Sequence, residues 1–360
     1  MRLRTRGIIA GRTLLVVSFT CLAWSAGVPT LSLPELIGDS SLIVIGRVNS
    51  VRQVSSTKVE LFGQELPAKV MEGEIEVDYT IKGHSPGRVA TVRFSIPGTP
   101  AGGVGYRGIP SGSYRIIFLR SSGGDYDFAS PYYSSFPAVP GEEHATGVLD
   151  QVVARLADVI QAPQSSETDK LEALFYSRGI KSSALNAALQ VGLQSQNKTV
   201  QLSIAAAMLE RNDISALPVA EGALAQPQPG VPQYLLQNLS SGIARGLRNE
   251  RAIPTLGRIL QQAPSAYARR AAASALRDTG SQLATPPLGW GLKDSDFEVR
   301  YLSVIGLAEI TGQNEWRPLM EDFREHERKY LAHWSAWMKS SSGLPKAEEQ
   351  EQRSSSEVHH

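Results

Sequence analysis

The sequence predicts an α+β chain of more than one domain, a strand-built amino-terminal half followed by a helical solenoid. Two observations predict it. From about Leu31 to Val139, short runs such as "SLIVIGRVNSVRQV" and "GSYRIIFLR" alternate apolar with polar residues between Gly, Pro and Ser; from about Val148, Ala, Leu, Gln and Arg take over with helical spacing. In that second half Pro218, Pro254, Pro286 and Pro318 recur at intervals of 36, 32 and 32 residues, a period that belongs to stacked helical repeats.

The chain opens with Arg2, Arg4, Arg6 and Arg12 ahead of an apolar run from Thr13 to about Ala26. This order predicts a signal peptide over residues 1–26. The run is shorter than a membrane-spanning helix, which needs roughly 20 apolar residues. Its removal takes away the single cysteine, Cys21, and with it any disulfide or thiolate metal site. It also removes four arginines and no acid, so 36 basic and 35 acidic residues become 32 and 35, a net charge of −3. A mildly acidic product argues against nucleic-acid binding, which draws on a basic stripe. The expectation is a secreted or periplasmic protein with no nucleic-acid partner and no membrane association after processing.

Residues 31–145 form the predicted β domain, and two motifs in it suggest chemistry. Gly83-His84-Ser85-Pro86-Gly87 matches the G-x-S-x-G nucleophile elbow. That elbow needs a helix after the serine and an amide N–H on the next residue for the oxyanion hole. Pro86 has no N–H, and "GRVATVRFSI" has a strand period, so the motif reads as a hairpin loop. "GVGYRG", Gly103 to Gly108, matches a dinucleotide fingerprint but precedes another strand, "SYRIIFL", where the fingerprint requires a helix. His84, His144, Asp125 and Asp127 are scattered over loops and imply no catalytic constellation.

Ile45-Gly46-Arg47-Val48, Ile81-Lys82-Gly83 and the run Gly112 to Leu119 resemble the small β-barrel of the OB or tissue-inhibitor-of-metalloproteinase-like kind. The resemblance implies an antiparallel barrel. The chain departs from the true inhibitors in lacking their metal-chelating amino-terminal cysteine.

Residues 148–340 form the predicted solenoid. "SALPVAEGAL", "RAIPTLGRIL" and "LATPPLGWGL" align on their prolines, with Leu224, Leu260 and Leu292 six positions later; "EWRPLMEDFR" aligns on Pro318. Proline is tolerated in the first helical turn, so each is expected to open the second helix of a pair. The first helices are "VQLSIAAAML", "LSSGIARGL", "ARRAAASAL" and "VRYLSVIGL", the last preceded by a Ser295–Glu298 capping box. "AQPQPGVPQ", Ala225 to Gln233, lengthens one inter-repeat loop. The segment "DSDFEVRYLSVIGLAEITG", through Val299, Arg300, Leu307, Ile310 and Gly312, resembles the HEAT family in its short bacterial form. That resemblance implies that the Pro-started helices border the concave, ligand-binding surface.

Tyr330, Trp334 and Trp337 share one face of the last helix and are expected to cap the array. His326 and His333 lie seven apart on the same helix without a nearby matched third ligand, and no metal or cofactor is expected. Residues 341–360 are polar and read as a disordered tail. The functional expectation is a non-enzymatic scaffold for a protein or peptide, with the β domain as a second binding module. Exposed positions between the anchors of the Pro-started helices, Glu221, Arg258, Trp290 and Glu321, are the candidate contacts. The alternative is a hydrolase or hydrolase inhibitor working through β-domain loops.

Overall fold

The structure is a computed structural model describing residues 31–61, 64–84, 87–97, 108–122, 125–141 and 147–340. Residues 1–30 and 341–360, Ser85, Pro86, His144 and most of the Gly103–Gly108 motif lie outside the described residues.

Helix α1 (Leu33–Asp39) opens with a capping box in which Ser32 and Glu35 satisfy each other's backbone N–H groups. The Lys82 ammonium donates to the carbonyls of Ile37 (2.6 Å) and Gly38 (3.3 Å), placing a cation at the helix's negative end.

Six strands follow: β1 (Leu42–Leu61), β2 (Gln64–Lys82), β3 (Val89–Pro97), β4 (Tyr114–Ser122), β5 (Asp125–Phe128) and β6 (Ser135–Pro137). β1 pairs with β2 along its length and with β4 over residues 42–47, so five strands close a ring in the order β1-β2-β3-β5-β4-β1. The β3–β5 contact, Val92 with Tyr126, is parallel. Here the structure departs from the all-antiparallel expectation for a geometric reason: neighbours cannot all alternate direction around a ring with an odd number of strands. β6 lies beside the first half of β4.

The first third of β1 is buried on both faces. Leu42, Val44 and Val48 point into the ring, while Ile43 and Ile45 share a core with the helices. A strand covered on both sides reads as a continuous apolar run, which is what "LIVI" is. At Gly46 the β1–β2 register shifts, and a side chain there would collide with the Glu76 carbonyl. The segment containing Ser85 joins β2 to β3, which pair antiparallel, and the element after it is a strand. No helix follows to complete a nucleophile elbow.

Helix α2 (Val148–Gln161) leads into five helix pairs: α3 (Glu167–Tyr176) with α4 (Ser183–Gly192), α5 (Lys198–Glu210) with α6 (Leu217–Ala225), α7 (Gln233–Gly246) with α8 (Ile253–Gln262), α9 (Ala266–Asp278) with α10 (Thr285–Gly291), and α11 (Phe297–Thr311) with α12 (Met320–Lys339). First helices stack on first helices from α3 to α11, and second helices form a parallel row. Pro218, Pro254 and Pro286 sit in the first turns of α6, α8 and α10. Each follows a one-turn 3₁₀ segment capped by a side chain at equivalent positions, Asp213, Asn249 and Ser281. Pro318 instead precedes α12, because Arg317 before it is extended (φ −101°, ψ 93°). This is the conformation that proline favours in its predecessor.

The cap of α11 also differs from expectation. Asp296, not Ser295, accepts the Val299 N–H. Asp296 is one residue closer to the helix and carries a charge that suits the positive helix end. At the carboxyl end α12 kinks at His326, and beyond the kink Trp334 and Tyr330 are buried with Trp337 packed against them. Among the described residues no helix is long and apolar enough to cross a membrane.

Candidate functional site

Three of the four sequence-derived candidates fall on the row formed by α6, α8 and α10. Glu221 and Arg258 face each other across adjacent repeats, with Arg258 Nη2 3.0 Å from Glu221 Oε2 and Nε 2.5 Å from Oε1. The Arg258 guanidinium beside it holds the Glu221 carboxyl below its usual range. Trp290 is 49% exposed. One ring edge is seated over Gly257, where a side-chain Cβ would stand 3.2 Å from Trp290 Cζ3. The indole is therefore partly packed and partly offered to solvent. Glu321 is exposed in the first turn of α12.

Charged side chains elsewhere on the solenoid are used to tie neighbouring repeats together. Arg269 donates to the carbonyls of Ala263 and Pro264 and to both carboxylate oxygens of Asp294 (2.7 and 2.9 Å). Arg300 repeats the arrangement one unit later, with the carbonyls of Asp294 and Ser295 and with Glu327 at 2.6 Å. Arg270 pairs with Asp296; together with the Val299 N–H it draws the Asp296 carboxyl down to about 2, against the opposing effect of burial. At the other ends of the first helices, Arg178 meets Glu210, Arg248 meets Asp278, and Arg277 meets Glu309.

The β domain is joined to the first repeat by a buried ion pair. Arg115 on β4 donates to Glu172 on α3 at 3.2 and 2.9 Å, and to the carbonyl and hydroxyl of Ser135 at 3.1 Å each. Phe136 stacks on Tyr176 with centroids 3.8 Å apart. Arg155 of α2 lies over the Tyr79 ring at 5.3 Å.

The loop residues considered for catalysis remain apart in role. His84 is exposed, and Asp125 pairs with Arg93 at 3.0 Å. Burial raises the Asp127 carboxyl, which lies opposite Arg120 in the β4–β5 register. His326 contacts Asp322, whereas His333 stacks on Trp316 at 3.6 Å and is lowered by burial. Among the described residues no three His, Cys, Asp or Glu side chains converge as a metal site.

The row of first helices carries a groove that the sequence reading did not single out. It has a volume of about 660 Å3 and runs between α3 and α7 over α5. Residues three and four apart on each helix line it. The usable sequence signal was a stripe of small residues on α5, Ser203, Ala206 and Ala207.

No curated protein shows a significant match to the chain. Residues 253–338, which run from the start of α8 almost to the end of α12, match the family model of HEAT repeats.

Proposed function

We propose that this protein is an exported, non-enzymatic scaffold whose solenoid binds a protein or peptide, with an OB-like β domain fixed at one end as a second binding module. HEAT repeats generally act as protein-interaction scaffolds. The observation that carries the reading is Trp290, a half-exposed indole on the row formed by α6, α8 and α10. Aromatic anchors of this kind dominate interface energies. Glu221, Arg258 and Glu321 are the proposed polar rim. The ring order, with its parallel β3–β5 contact, supports the OB-like reading of the β domain. The arginine-rich start followed by an apolar run supports export to a secreted or periplasmic location. No specific observation favours a hydrolase or a hydrolase inhibitor.

The test is Trp290→Ala, with partners captured by cross-linking in the exported fraction and identified by mass spectrometry. Half of the ring is already solvated, so the stability loss is about 2 kcal/mol, below the roughly 3–5 kcal/mol of a fully buried tryptophan. Partner capture is expected to fall while the fold persists. A variant that melts normally and keeps every wild-type partner removes Trp290 and its row from the binding surface.

A further inference from the structure

The groove on the first-helix row has a different chemistry from the Trp290 row. Its floor is the α5 stripe of Ser203, Ala206 and Ala207, small side chains that let a bound chain approach the helix backbone closely. One wall is apolar, made by Leu171, Leu174 and Phe175 of α3. Phe175 is 61% exposed, the most exposed aromatic ring among the described residues. The facing wall, Asn238 and Ser241 of α7, is polar.

One end of the groove is electropositive. Glu210 accepts from Arg178 Nε and Nη2 at 3.0 and 2.8 Å and lies 3.7 Å from Arg245. A single carboxylate is thus shared by two guanidinium groups whose side chains are 56% and 63% exposed. Arg211 adds a third cation at this end, held by the carbonyls of Ile180 and Ser177. The groove lining includes no acid besides Glu210.

Apolar surface and unbalanced positive charge are separated by one to two helical turns, roughly 5–10 Å at 1.5 Å per residue. We infer that this groove docks a segment of a partner protein that places a bulky apolar side chain against Leu171, Leu174 and Phe175, and a carboxylate on Arg178 and Arg245. Guanidinium–carboxylate pairing supplies the directional contact, and the small floor admits the segment as an amphipathic helix laid along α5. This deepens the reading of the solenoid as a protein-docking scaffold and rests on it. It concerns the row of helices that does not carry Trp290.

The experiment uses the full processed chain and a displayed library of random short peptides. Selected peptides are resynthesised, and their affinities are measured by fluorescence anisotropy. The expected peptides combine a bulky apolar residue with Asp or Glu at a fixed spacing. Their affinity falls roughly ten-fold or more in Arg245→Ala, which removes one exposed cation, and in Ala207→Trp, which fills the floor. It is unchanged in Trp290→Ala. Ala207 faces the open groove, so Ala207→Trp is expected to melt like the wild type; if it does not, Ser203→Phe fills the same floor.

Peptides lacking an acidic residue, or bound equally well by the filled-groove variant, overturn the proposal. Peptides lost only in Trp290→Ala overturn the groove but leave the scaffold standing. A library that yields no binder to the groove also overturns it, while the partner-capture experiment on Trp290→Ala judges the scaffold separately. Displacement of the selected peptides by a synthetic peptide of residues 341–360 assigns the groove to the chain's own acidic segment and overturns the partner assignment.

Discussion

Arg115→Met tests whether the β domain and the solenoid form one energetic unit. The guanidinium makes four hydrogen bonds, two to Glu172 and two to Ser135, and both partners of the ion pair are largely shielded, at 7% and 13% side-chain exposure. Methionine keeps most of the stem's packing but strips the guanidinium from a shielded carboxylate. Breaking a buried pair from one side costs about 3–5 kcal/mol. The residual exposure of Glu172 places this case near the lower limit, about 3 kcal/mol. Arg115→Met with Glu172→Leu replaces both charges with apolar groups and is expected to recover to within about 1 kcal/mol of the wild type.

The readout has to separate the two ends of the molecule. In a chain begun at residue 31 the tryptophans are Trp290, Trp316, Trp334 and Trp337, so its fluorescence during urea unfolding reports only the last two repeats. Hydrogen exchange of residues 42–48, read by mass spectrometry, reports the opening of β1. In Arg115→Met the opening free energy of β1 drops by about 3 kcal/mol while the fluorescence midpoint moves less, because repeat arrays lose structure locally. A drop below about 1 kcal/mol, or a double variant less stable than either single one, refutes the assignment of this pair as the junction.

Two glycine substitutions should change stability in opposite directions. Gly246 of α7 lies against the backbone of Glu210, where a Cβ would collide with main-chain atoms that no rotamer change can clear. Gly246→Ala is expected to cost about 2 kcal/mol in urea titration, despite alanine's better helix propensity. Gly222 of α6 has nothing within 4 Å of its Cβ position, so Gly222→Ala should gain about 0.5–1 kcal/mol. Asp296 gives a pH dependence. Its folded pKa of about 2 is below the ordinary 3.8, so its contribution is present above about pH 4 and lost as pH falls through 2. The contribution is at most about 2 kcal/mol. Urea titrations of Asp296→Asn and the wild type should differ by about that amount at pH 6 and converge near pH 2.

The sequence was most readable where a local rule repeats. The spacing of Pro218, Pro254 and Pro286 locates three second helices because a proline in the first turn loses no hydrogen bond, and that constraint is independent of tertiary context. Pro318 breaks the series because the backbone around it is extended. The β-ring order was not legible, since pairings such as Leu42 with Leu119 join residues too distant for periodicity to rank. Nothing in the run "GSYRIIFLR" distinguishes Arg115, because its partner Glu172 is 57 residues away. Glu221 and Arg258 were identified separately as exposed residues, yet they lie about one repeat apart and bind each other. The groove escaped because each of its three helices contributes only three or four residues, and no one stripe is unusual alone.

A stack of helix pairs has two raw ends, and the two are closed by different means. At the carboxyl end, α12 turns Trp334 and Tyr330 inward. At the amino end, Ile43, Ile45, Ile116, Phe118 and Phe136 of the β domain enter the same apolar core as Val152 and Leu156 of α2. The β domain is thus the amino-terminal closure of the solenoid as well as an appended module. Glu172 and Tyr176 of α3 are held by Arg115 and Phe136, while Leu171, Leu174 and Phe175, interleaved with them on the same helix, form the apolar wall. A buried ion pair and a stacked ring thus restrain one side of the helix whose other side forms the groove wall. The β domain therefore bears on the position of the apolar wall while contributing no residue to the groove lining.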